Sequence, residues 1–224
     1  LADLLSAILE AELRMRIRLN SLEPRTVDDR VLSLLAQAPD VLVPHIQIPL
    51  QSGCDAVLAR MSRNYRTTHY RDVIERAKAM VPQICLGADV ITGFPGETAA
   101  EHAQSEQFIA SLPLDYLHVF TYSARPGTRA ASLSAQPHGE IVRPRTAALL
   151  QLGRAAAQRF RRSQLGRVQS ALVLAGRTAS GQARTLTGNY IEVLLPQAEP
   201  GRILDVRLTK LEDDGQTVLG EVAA

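Results

Sequence analysis

Cysteine is scarce in this sequence, and tryptophan is absent. Of 224 residues only two, Cys54 and Cys85, are cysteines. They are too far apart for a C-x-x-C pair, so the sequence offers neither a disulfide framework nor a metal or iron–sulfur site built from thiolates. We predict that both are reduced, buried thiols.

Long hydrophobic runs are also missing. No stretch approaches the roughly 18 apolar residues that a membrane span requires, and residues 1–12 lack the basic start and apolar run of a signal peptide. The composition is that of an ordinary globular protein, with 46% hydrophobic and 21% charged residues. We therefore expect a cytoplasmic protein with no membrane partner. Because the first residue is Leu1 rather than Met, we also expect a fragment or a processed product.

One long segment lacks acidic residues. The formal net charge of the chain is only +2, but residues 141–190 contain nine arginines and no Asp or Glu. Such a segment creates a local basic field, and phosphate is the commonest target of such a field. The alternative is a solvated helix face whose acidic partners lie elsewhere in the fold.

Residues 1–140 alternate between helical and strand periodicity. This alternation predicts an α/β fold with parallel strands. The predicted strands are 15–19, 45–50, 86–91 and 116–122. The predicted helices are 1–13, 27–37, 55–61, 68–80 and 98–112. Thr98 and Glu101 form a capping-box pattern at the start of the last helix.

The remainder of the chain has a different pattern. Residues 129–140 have the composition of a loop or linker, and residues 142–163 form a long helix rich in Arg and Ala. Short strands follow at 168–174, 184–187, 190–195, 202–208 and 217–222. Five short strands in about 60 residues predict a small closed barrel of the OB type or similar. We place the boundary so that residues 1–163 and 164–224 form two domains.

Three motifs within residues 1–140 are distinctive in their sequence and in their order along the chain. They lie at residues 45–65 (beginning HIQIPLQSGCD), 89–98 (DVITGFPGET) and 118–128 (HVFTYSARPGT). Together they resemble the methylthiotransferase branch of the radical-SAM enzymes, and residues 16–24 fit the same branch. The tail, with residues 189–193 (NYIEV), resembles the RNA-binding TRAM domain that ends those proteins.

The resemblance implies a fold and a set of cofactors. The fold is a partial radical-SAM (β/α) barrel that lacks its first strands, followed by a small all-β TRAM barrel. The cofactors are S-adenosyl-L-methionine (SAM) and [4Fe–4S] clusters, whose cysteine ligands are absent from this chain. We therefore expect the parent protein to be the enzyme and this chain alone to be inactive. The implied partner is the anticodon stem-loop of tRNA, and the implied full-length enzyme is a monomer.

The resemblance leaves several substrates and functions open. Residues 45–55, with Cys54 after Gly53, resemble most the enzymes that methylthiolate C2 of N6-threonylcarbamoyladenosine next to the anticodon. The alternatives within the family are the isopentenyladenosine tRNA enzyme and the ribosomal-protein S12 enzyme. Outside enzymes of this kind, the alternatives are a non-catalytic RNA-binding module and a SAM-binding protein without chemistry.

Candidate cofactor-binding residues follow the predicted strands, because active sites of parallel α/β folds lie at the carboxyl ends of the strands. Gln51 and Ser52 carry groups suited to a ribose or an aminocarboxylate, and Arg63 suits a carboxylate. The full set is Gln51, Ser52, Arg63, Asp89, Gly93, Glu97, Tyr122 and Arg125. Each has a structural alternative, such as loop capping for Ser52 or surface charge for Arg63. We predict no catalytic side chain and no metal ligand.

Candidate RNA-binding residues lie in the tail, since arginine binds phosphate and tyrosine can stack on a base. They are Arg177, Arg184, Asn189, Tyr190 and Lys210. The alternative for Tyr190 is a place in the core of the barrel. Two histidines on predicted strands, His45 and His118, are interpreted as hydrogen-bonded core residues, because nothing near them in sequence has ligand spacing.

Overall fold

The computed structural model describes residues 1–13, 15–133, 135 and 137–223. The first half contains a four-stranded sheet in the order β1-β2-β3-β4, and all neighbouring strands are parallel. The strands are β1 Ile17–Leu19, β2 Leu42–Gln47, β3 Cys85–Thr92 and β4 Tyr116–Thr121. The predicted parallel α/β sheet is therefore confirmed, with β1 at one edge.

Helices connect and cover the strands. They are α1 Ala2–Glu10, α2 Asp29–Gln37, α3 Asp55–Arg60, α4 Thr67–Met80, α5 Ala99–Ala110 and α6 Gly139–Gln164, with short 3-10 turns at Pro24–Thr26 and Arg129–Ser132. The capping box predicted at Thr98 and Glu101 is present at the start of α5. In the segment predicted as a linker, residues 134 and 136 lie outside the described residues, and α6 begins three residues earlier than predicted.

Strand β2 differs most from its predicted range of 45–50. It begins at Leu42 and ends at Gln47, so it contains Pro44, which has no N–H to donate. The register between β1 and β2 is irregular at this point, between Ile17 and Leu19, which is where a sheet tolerates proline. Beyond Gln47 the backbone still follows β3, since Leu50 N donates to Asp89 O at 3.1 Å.

One face of the sheet forms the main core. Side chains that alternate along β2 and β3 pack there against the helices, and each of the following is at most 1% exposed: Leu42, Ile46, Leu86, Ala88 and Val90. Full burial of a Leu or Ile side chain contributes about 1.5–3 kcal/mol relative to exposure. We call this the helix-covered face. Because strand side chains alternate, the residues between these positions lie on the opposite face, which we call the concave face.

Helix α6 runs antiparallel to β4 and links the sheet to the second half. Its Thr146 hydroxyl lies 2.7 Å from that of Thr92 at the end of β3, whereas Phe160, near its other end, belongs to the same buried cluster as Cys85 at the start of β3. The helix therefore begins at the edge where the strands end and finishes near the edge where they start. In the described part of the chain, no helix is long and apolar enough to cross a membrane.

The second half is a closed five-stranded barrel, as predicted. Its strands are β5 Val168–Arg177, β6 Ala183–Thr187, β7 Glu192–Leu195, β8 Ile203–Leu211 and β9 Val218–Val222. Their order around the barrel is β5-β6-β7-β9-β8, with β7 and β9 parallel and the other pairs antiparallel. The assignment of this barrel as TRAM, and the division of the chain at residues 163 and 164, stay predictions.

Candidate functional site

The concave face carries polar and aromatic side chains in register. Across β3 and β4 the paired residues are Gly87 with Tyr116, Asp89 with His118, and Ile91 with Phe120. Tyr116 lies so close to Gly87 that a Cβ on that glycine would come within 2.0 Å of the phenol ring. The upper rows, toward the carboxyl ends of the strands, are more open: Phe120 is 53% exposed.

Asp89 and His118 form a pair on this face. The Asp89 Oδ1 lies 3.2 Å from His118 Nδ1, and the two side chains are 22% and 49% exposed. A carboxylate on a strand requires such a partner, because an unpaired buried charge is costly. The exposure of His118 corrects its interpretation as a core histidine, since strand alternation places it on the concave face rather than among the helices.

Gln51 has a strained backbone at the end of the strand segment. Its φ is +68°, a left-handed conformation that costs a non-glycine residue about 1–3 kcal/mol. The backbone is nevertheless fixed on both sides, since Gln51 N donates to Asp89 O at 2.8 Å and Gln51 O accepts from Ile91 N at 2.9 Å. No hydrogen bond joins its side-chain amide to another described residue. Gln51 therefore combines a fixed position with free hydrogen-bonding capacity.

Ser52 serves the loop that follows. Its side chain is 1% exposed, and its Oγ accepts from Cys54 N at 3.2 Å. Gly53 N donates to Ser105 Oγ at 2.7 Å, and a Cβ on Gly53 would lie 2.7 Å from Ser105 O. These contacts support the structural alternative, in which Ser52 caps a loop that packs tightly on α5.

The loop from Gly93 to Glu97 is fastened to α6 by a buried ion pair. Glu97 Oε2 accepts from Gly93 N at 2.9 Å and from Arg145 Nη1 at 2.8 Å, and the Arg145 and Glu97 side chains are only 11% and 2% exposed. Gly93 has φ +73°, and a Cβ there would lie 2.7 Å from the Val142 side chain. Glu97 thus orders the loop. Arg145 was not among the residues predicted from the sequence, because no sequence pattern links α6 to this loop.

Tyr122 follows β4 and leaves one polar atom without a partner. Its ring packs edge-on against Phe94 at 5.4 Å, in a cluster with Cys54 and Val57. Its hydroxyl is buried and bonds to no described residue, a cost of about 1–3 kcal/mol when nothing else satisfies the group. Because the hydroxyl is also closed to solvent, a ligand bond to it requires the side chains that cover it to move. Arg125, three residues on, is exposed.

Arg63 is placed less favourably for a cofactor. Its Nη1 pairs with Glu23 Oε1 at 3.2 Å, and the side chains are 31% and 50% exposed. An exposed pair of this kind contributes about 0–1 kcal/mol. This contact fits the surface-charge alternative for Arg63.

At the other end of the concave face, the barrel covers the sheet. The Tyr190 ring lies 4.8 Å from that of His45 and 5.7 Å from that of Tyr116, and the Arg18 guanidinium lies 4.5 Å from the same ring. Tyr190 has φ +70° and is 43% exposed. It therefore contacts the sheet instead of filling the core of the barrel.

His45 is buried beneath this contact. Its Nε2 lies 2.8 Å from the Tyr116 hydroxyl, and its other ring nitrogen bonds to no described residue. Burial, followed by the positive charge of Arg18, lowers the pKa of His45 to about 3. His45 is thus a core residue, as interpreted from the sequence, although only one of its ring nitrogens has a partner.

The other candidate RNA-binding residues of the barrel are mostly engaged. Asn189 is fully buried and bonds to Thr187 and Gln164, so its proposed contact with RNA is wrong: the side chain fixes a turn. Arg184 makes a two-fold hydrogen bond to Glu192, at 3.0 and 2.6 Å. The remaining two are exposed. Lys210 pairs with Glu212 at 3.0 Å, and Arg177 donates to the carbonyls of Gly181 and Ala198.

The two cysteines lie in different hydrophobic clusters and do not converge. Cys54 is in the cluster with Phe94, and Cys85 is in the cluster that joins the barrel to α6. Burial raises the pKa of the Cys85 thiol well above its usual value, which disfavours the thiolate that a metal needs. Within the described ranges, no group of three or more His, Cys, Asp or Glu side chains is placed to hold a metal ion. These residues do not fit an iron–sulfur cluster.

Comparison with known proteins agrees with this architecture. Residues 1–109 match the family model of the radical SAM superfamily. Coproporphyrinogen III oxidase from Escherichia coli, a radical SAM enzyme, superposes with a TM-score of 0.51 over 93% of this chain and 52% of that protein, at 17% identity. Together with the parallel sheet, these findings show that the first half has the radical SAM fold.

Two curated relatives carry the same name. The tRNA-2-methylthio-N(6)-dimethylallyladenosine synthase of Chromobacterium violaceum is 37% identical over 211 residues, which cover 87% of this chain and 47% of that protein. The synthase of the same name from Acidothermus cellulolyticus is 34% identical over 201 residues, or 87% of this chain and 40% of that protein. The chain therefore spans less than half the length of these relatives.

Proposed function

We propose that this chain is part of a radical-SAM methylthiotransferase that forms 2-methylthio-N6-dimethylallyladenosine in tRNA. The observation that carries the proposal is the set of unused polar groups at the carboxyl ends of the strands, within a sheet of the radical SAM fold. Among the described residues, the Tyr122 hydroxyl has no hydrogen-bond partner, the Gln51 amide forms no side-chain hydrogen bond, and the Asp89 carboxylate bonds only to His118. The related synthases supply the reaction class.

These residues suit one wall of a SAM site. SAM, reduced by an iron–sulfur cluster, supplies the radical chemistry of this class, and the protein binds, orients and shields it. The Gln51 amide and the Asp89 carboxylate can hydrogen-bond a ribose, and the Tyr122 hydroxyl can bond a further polar group. The cluster does not fit the residues of this chain, so in this proposal its ligands belong to the rest of the enzyme.

The substrate that we propose differs from the one expected from the sequence. That expectation was N6-threonylcarbamoyladenosine, whereas the relatives described above are named for N6-dimethylallyladenosine, the isopentenyladenosine alternative. The concave face supports the apolar substituent, because Phe120 is 53% exposed beside Ile91 on β3. An exposed aromatic ring next to an aliphatic side chain suits a dimethylallyl chain.

The decisive experiment uses the full-length gene product that contains this chain. After anaerobic reconstitution, the protein is incubated with SAM, dithionite and tRNA bearing either modified adenosine, and nucleosides are analysed by mass spectrometry. We expect the methylthio product only from the dimethylallyladenosine tRNA. Product from the threonylcarbamoyl tRNA alone would overturn the substrate, and no product from either would favour the non-catalytic RNA-binding module.

The SAM wall is tested separately by equilibrium dialysis of SAM with the same protein. Tyr122→Phe removes only the hydroxyl, and Gln51→Ala removes the amide. We expect both to weaken binding, whereas Arg63→Ala, which breaks an exposed ion pair, serves as the matched control and should leave it unchanged. The reverse order of effects would contradict the assignment of Gln51 and Tyr122.

For the isolated 224-residue chain we expect no catalysis. Two buried cysteines in separate clusters cannot supply the three thiolates that a cluster with an open iron needs. After incubation with iron and sulfide, the desalted chain should show no iron–sulfur absorbance and should form no 5′-deoxyadenosine under dithionite. About four irons retained per chain would overturn this expectation.

A further inference from the structure

Helix α6 lies outside the part of the chain that matches the radical SAM family model. The match ends at residue 109, whereas α6 spans Gly139–Gln164. Its first turns nevertheless contact the end of β3 and the loop that follows. Val142 packs against Gly93, and the hydroxyls of Thr146 and Thr92 lie 2.7 Å apart. The start of α6 therefore lies directly against the candidate SAM wall.

Arg145 is the charged side chain by which α6 holds this loop. Its Nη1 donates to the Glu97 carboxylate at 2.8 Å and to the Glu97 carbonyl at 3.1 Å. The same carboxylate oxygen, Oε2, accepts from Gly93 N at 2.9 Å. One carboxylate thus joins the first residue of the loop to the last and both of them to α6. Because the Arg145 and Glu97 side chains are only 11% and 2% exposed, water competes little for these bonds.

The loop is bonded in turn to the residues of the candidate SAM wall. Directly before it, Ile91 N donates to Gln51 O at 2.9 Å, and Thr92 O accepts from Tyr122 N at 2.8 Å. Within the loop, the Phe94 ring packs edge-on against the Tyr122 ring, with 5.4 Å between the centroids. Because these contacts are direct, a shift of the loop also displaces Gln51 and Tyr122.

A second arginine holds the loop from α3, within the matched segment. Arg60 Nη2 donates to Gly96 O at 3.3 Å, and the guanidinium makes two hydrogen bonds of 2.8 Å to Glu101. The Arg60 side chain is 33% exposed, three times as much as that of Arg145. Of these two attachments, the one from α6 is therefore the more buried.

We infer that Arg145 is a positioning residue for SAM, which acts through Glu97 on the Gly93–Glu97 loop, and that the cofactor site therefore extends beyond the matched segment into α6. The inference rests on the proposed function for the identity of the cofactor. Arg145 itself does not have to touch SAM, because it fixes the carboxylate that fixes the loop. A loop that is already ordered costs less to bind to, so a loosened loop weakens the binding of SAM.

The test measures SAM binding to the full-length gene product by equilibrium dialysis. Arg145→Met leaves Glu97 buried without its counter-charge, and we expect the dissociation constant of SAM to rise on the order of tenfold, because the loop is misplaced. Arg145→Lys keeps the charge but not the planar guanidinium, so its dissociation constant should lie between those of wild type and Arg145→Met. Arg143→Met removes an exposed arginine from the same turn of α6 and should leave the constant unchanged.

A double variant separates positioning from stability. Arg145→Met with Glu97→Gln removes both charges, and replacement of a buried pair by neutral groups of similar volume is often nearly neutral for stability. The glutamine oxygen can still accept from Gly93 N, but the bond to α6 is lost. We expect this variant to unfold in urea near the wild-type midpoint and yet to bind SAM as weakly as Arg145→Met. Hydrogen exchange, followed by mass spectrometry, should be faster than in wild type at residues 93–97.

The outcomes distinguish this inference from the proposed function. SAM binding that is unchanged in Arg145→Met, restored in the double variant, or equally weakened in Arg143→Met overturns the inference and leaves the methylthio assay to decide the function. Absence of methylthio product, while SAM binding still depends on Arg145, overturns the function and supports the inference. Absence of SAM binding by the wild-type protein overturns the inference together with the SAM wall.

Discussion

The two faces of the four-stranded sheet come from the same strands but differ in what holds them. On the helix-covered face, Leu86 and Val90 are at most 1% exposed and belong to the main apolar core. On the concave face, Asp89 and His118 are partly exposed and bonded to each other, and Phe120 is more than half exposed. The same backbone thus presents one face to the core and one that is partly open to solvent.

This difference predicts that substitutions on the two faces will change stability by unequal amounts. Removal of a side chain from the helix-covered face leaves a cavity among packed neighbours, whereas a change near the open end of the concave face exposes groups already in contact with water. The closed end of the concave face, where Tyr190 covers His45, is intermediate. Four experiments compare the stability of these regions, from the largest expected effect to the smallest.

The largest effect is expected in the helix-covered face. Leu86→Ala should lower the free energy of unfolding by about 2–5 kcal/mol, because Leu86 is fully buried and its removal creates a cavity. Ile91→Ala, on the same strand but on the concave face, is the control and should cost about 1 kcal/mol. Urea denaturation followed by circular dichroism measures both. Equal losses would show that the two faces are equally packed.

The buried ion pair beside the site should come next. Glu97→Gln keeps the size of the side chain but leaves Arg145 without its counter-charge, and we expect a loss of about 3 kcal/mol. Glu192→Gln is the control, because Glu192 and its partner Arg184 are each 43% exposed, so the loss should be about 0–1 kcal/mol. Urea denaturation at neutral pH gives both values. A loss at Glu97 no larger than at Glu192 would contradict a structural role for the buried pair.

The burial of His45 at the closed end of the concave face predicts that the stability of the fold depends on pH. The pKa of His45 is lowered to about 3 in the folded protein from about 6.5 when unfolded, so between these values the unfolded chain binds more protons. Stability contributed by His45 is therefore present above about pH 6.5 and is lost as pH falls. Between about pH 6 and 4.5 the loss should be about 2 kcal/mol. Urea denaturation across this range should show a shallower decline for His45→Gln, and an unchanged slope would refute the burial of a neutral imidazole.

The smallest effect on stability is expected at the open end. Phe120→Ala should change the free energy of unfolding by about 0.5 kcal/mol or less, because the ring is already largely in contact with water. The same substitution should weaken binding of dimethylallyladenosine tRNA relative to unmodified tRNA, measured by filter binding with the full-length protein. A large loss of stability, or no change in this preference, would remove Phe120 from the substrate surface.

Much of the fold was predictable because local periodicity and burial coincide. Each predicted strand and helix overlaps an observed one, and Thr98 with Glu101 was identified from spacing alone, since the capping box is a local interaction. The predicted range of β2 was less accurate. Pairing with the neighbouring strands determines where this strand, which contains Pro44, begins, and its own sequence pattern does not. The preferred substrate was not supported by the relatives, which are named for dimethylallyladenosine, because the sequence of one strand does not by itself specify a substrate.

The sequence by itself determined the alternation of helices and strands, the motifs that resemble the methylthiotransferases and the arginine-rich segment. Each of these depends on residues near one another along the chain. It also fixed the number of cysteines. Only the tertiary structure decided which of these residues are free to act. Glu97 is joined to Arg145 across 48 positions, Asn189 is buried by Gln164 and Thr187, and Tyr190 is drawn to the sheet by His45 and Arg18. The physical reason is that charge pairing and desolvation depend on distance in space, which the order of residues does not specify.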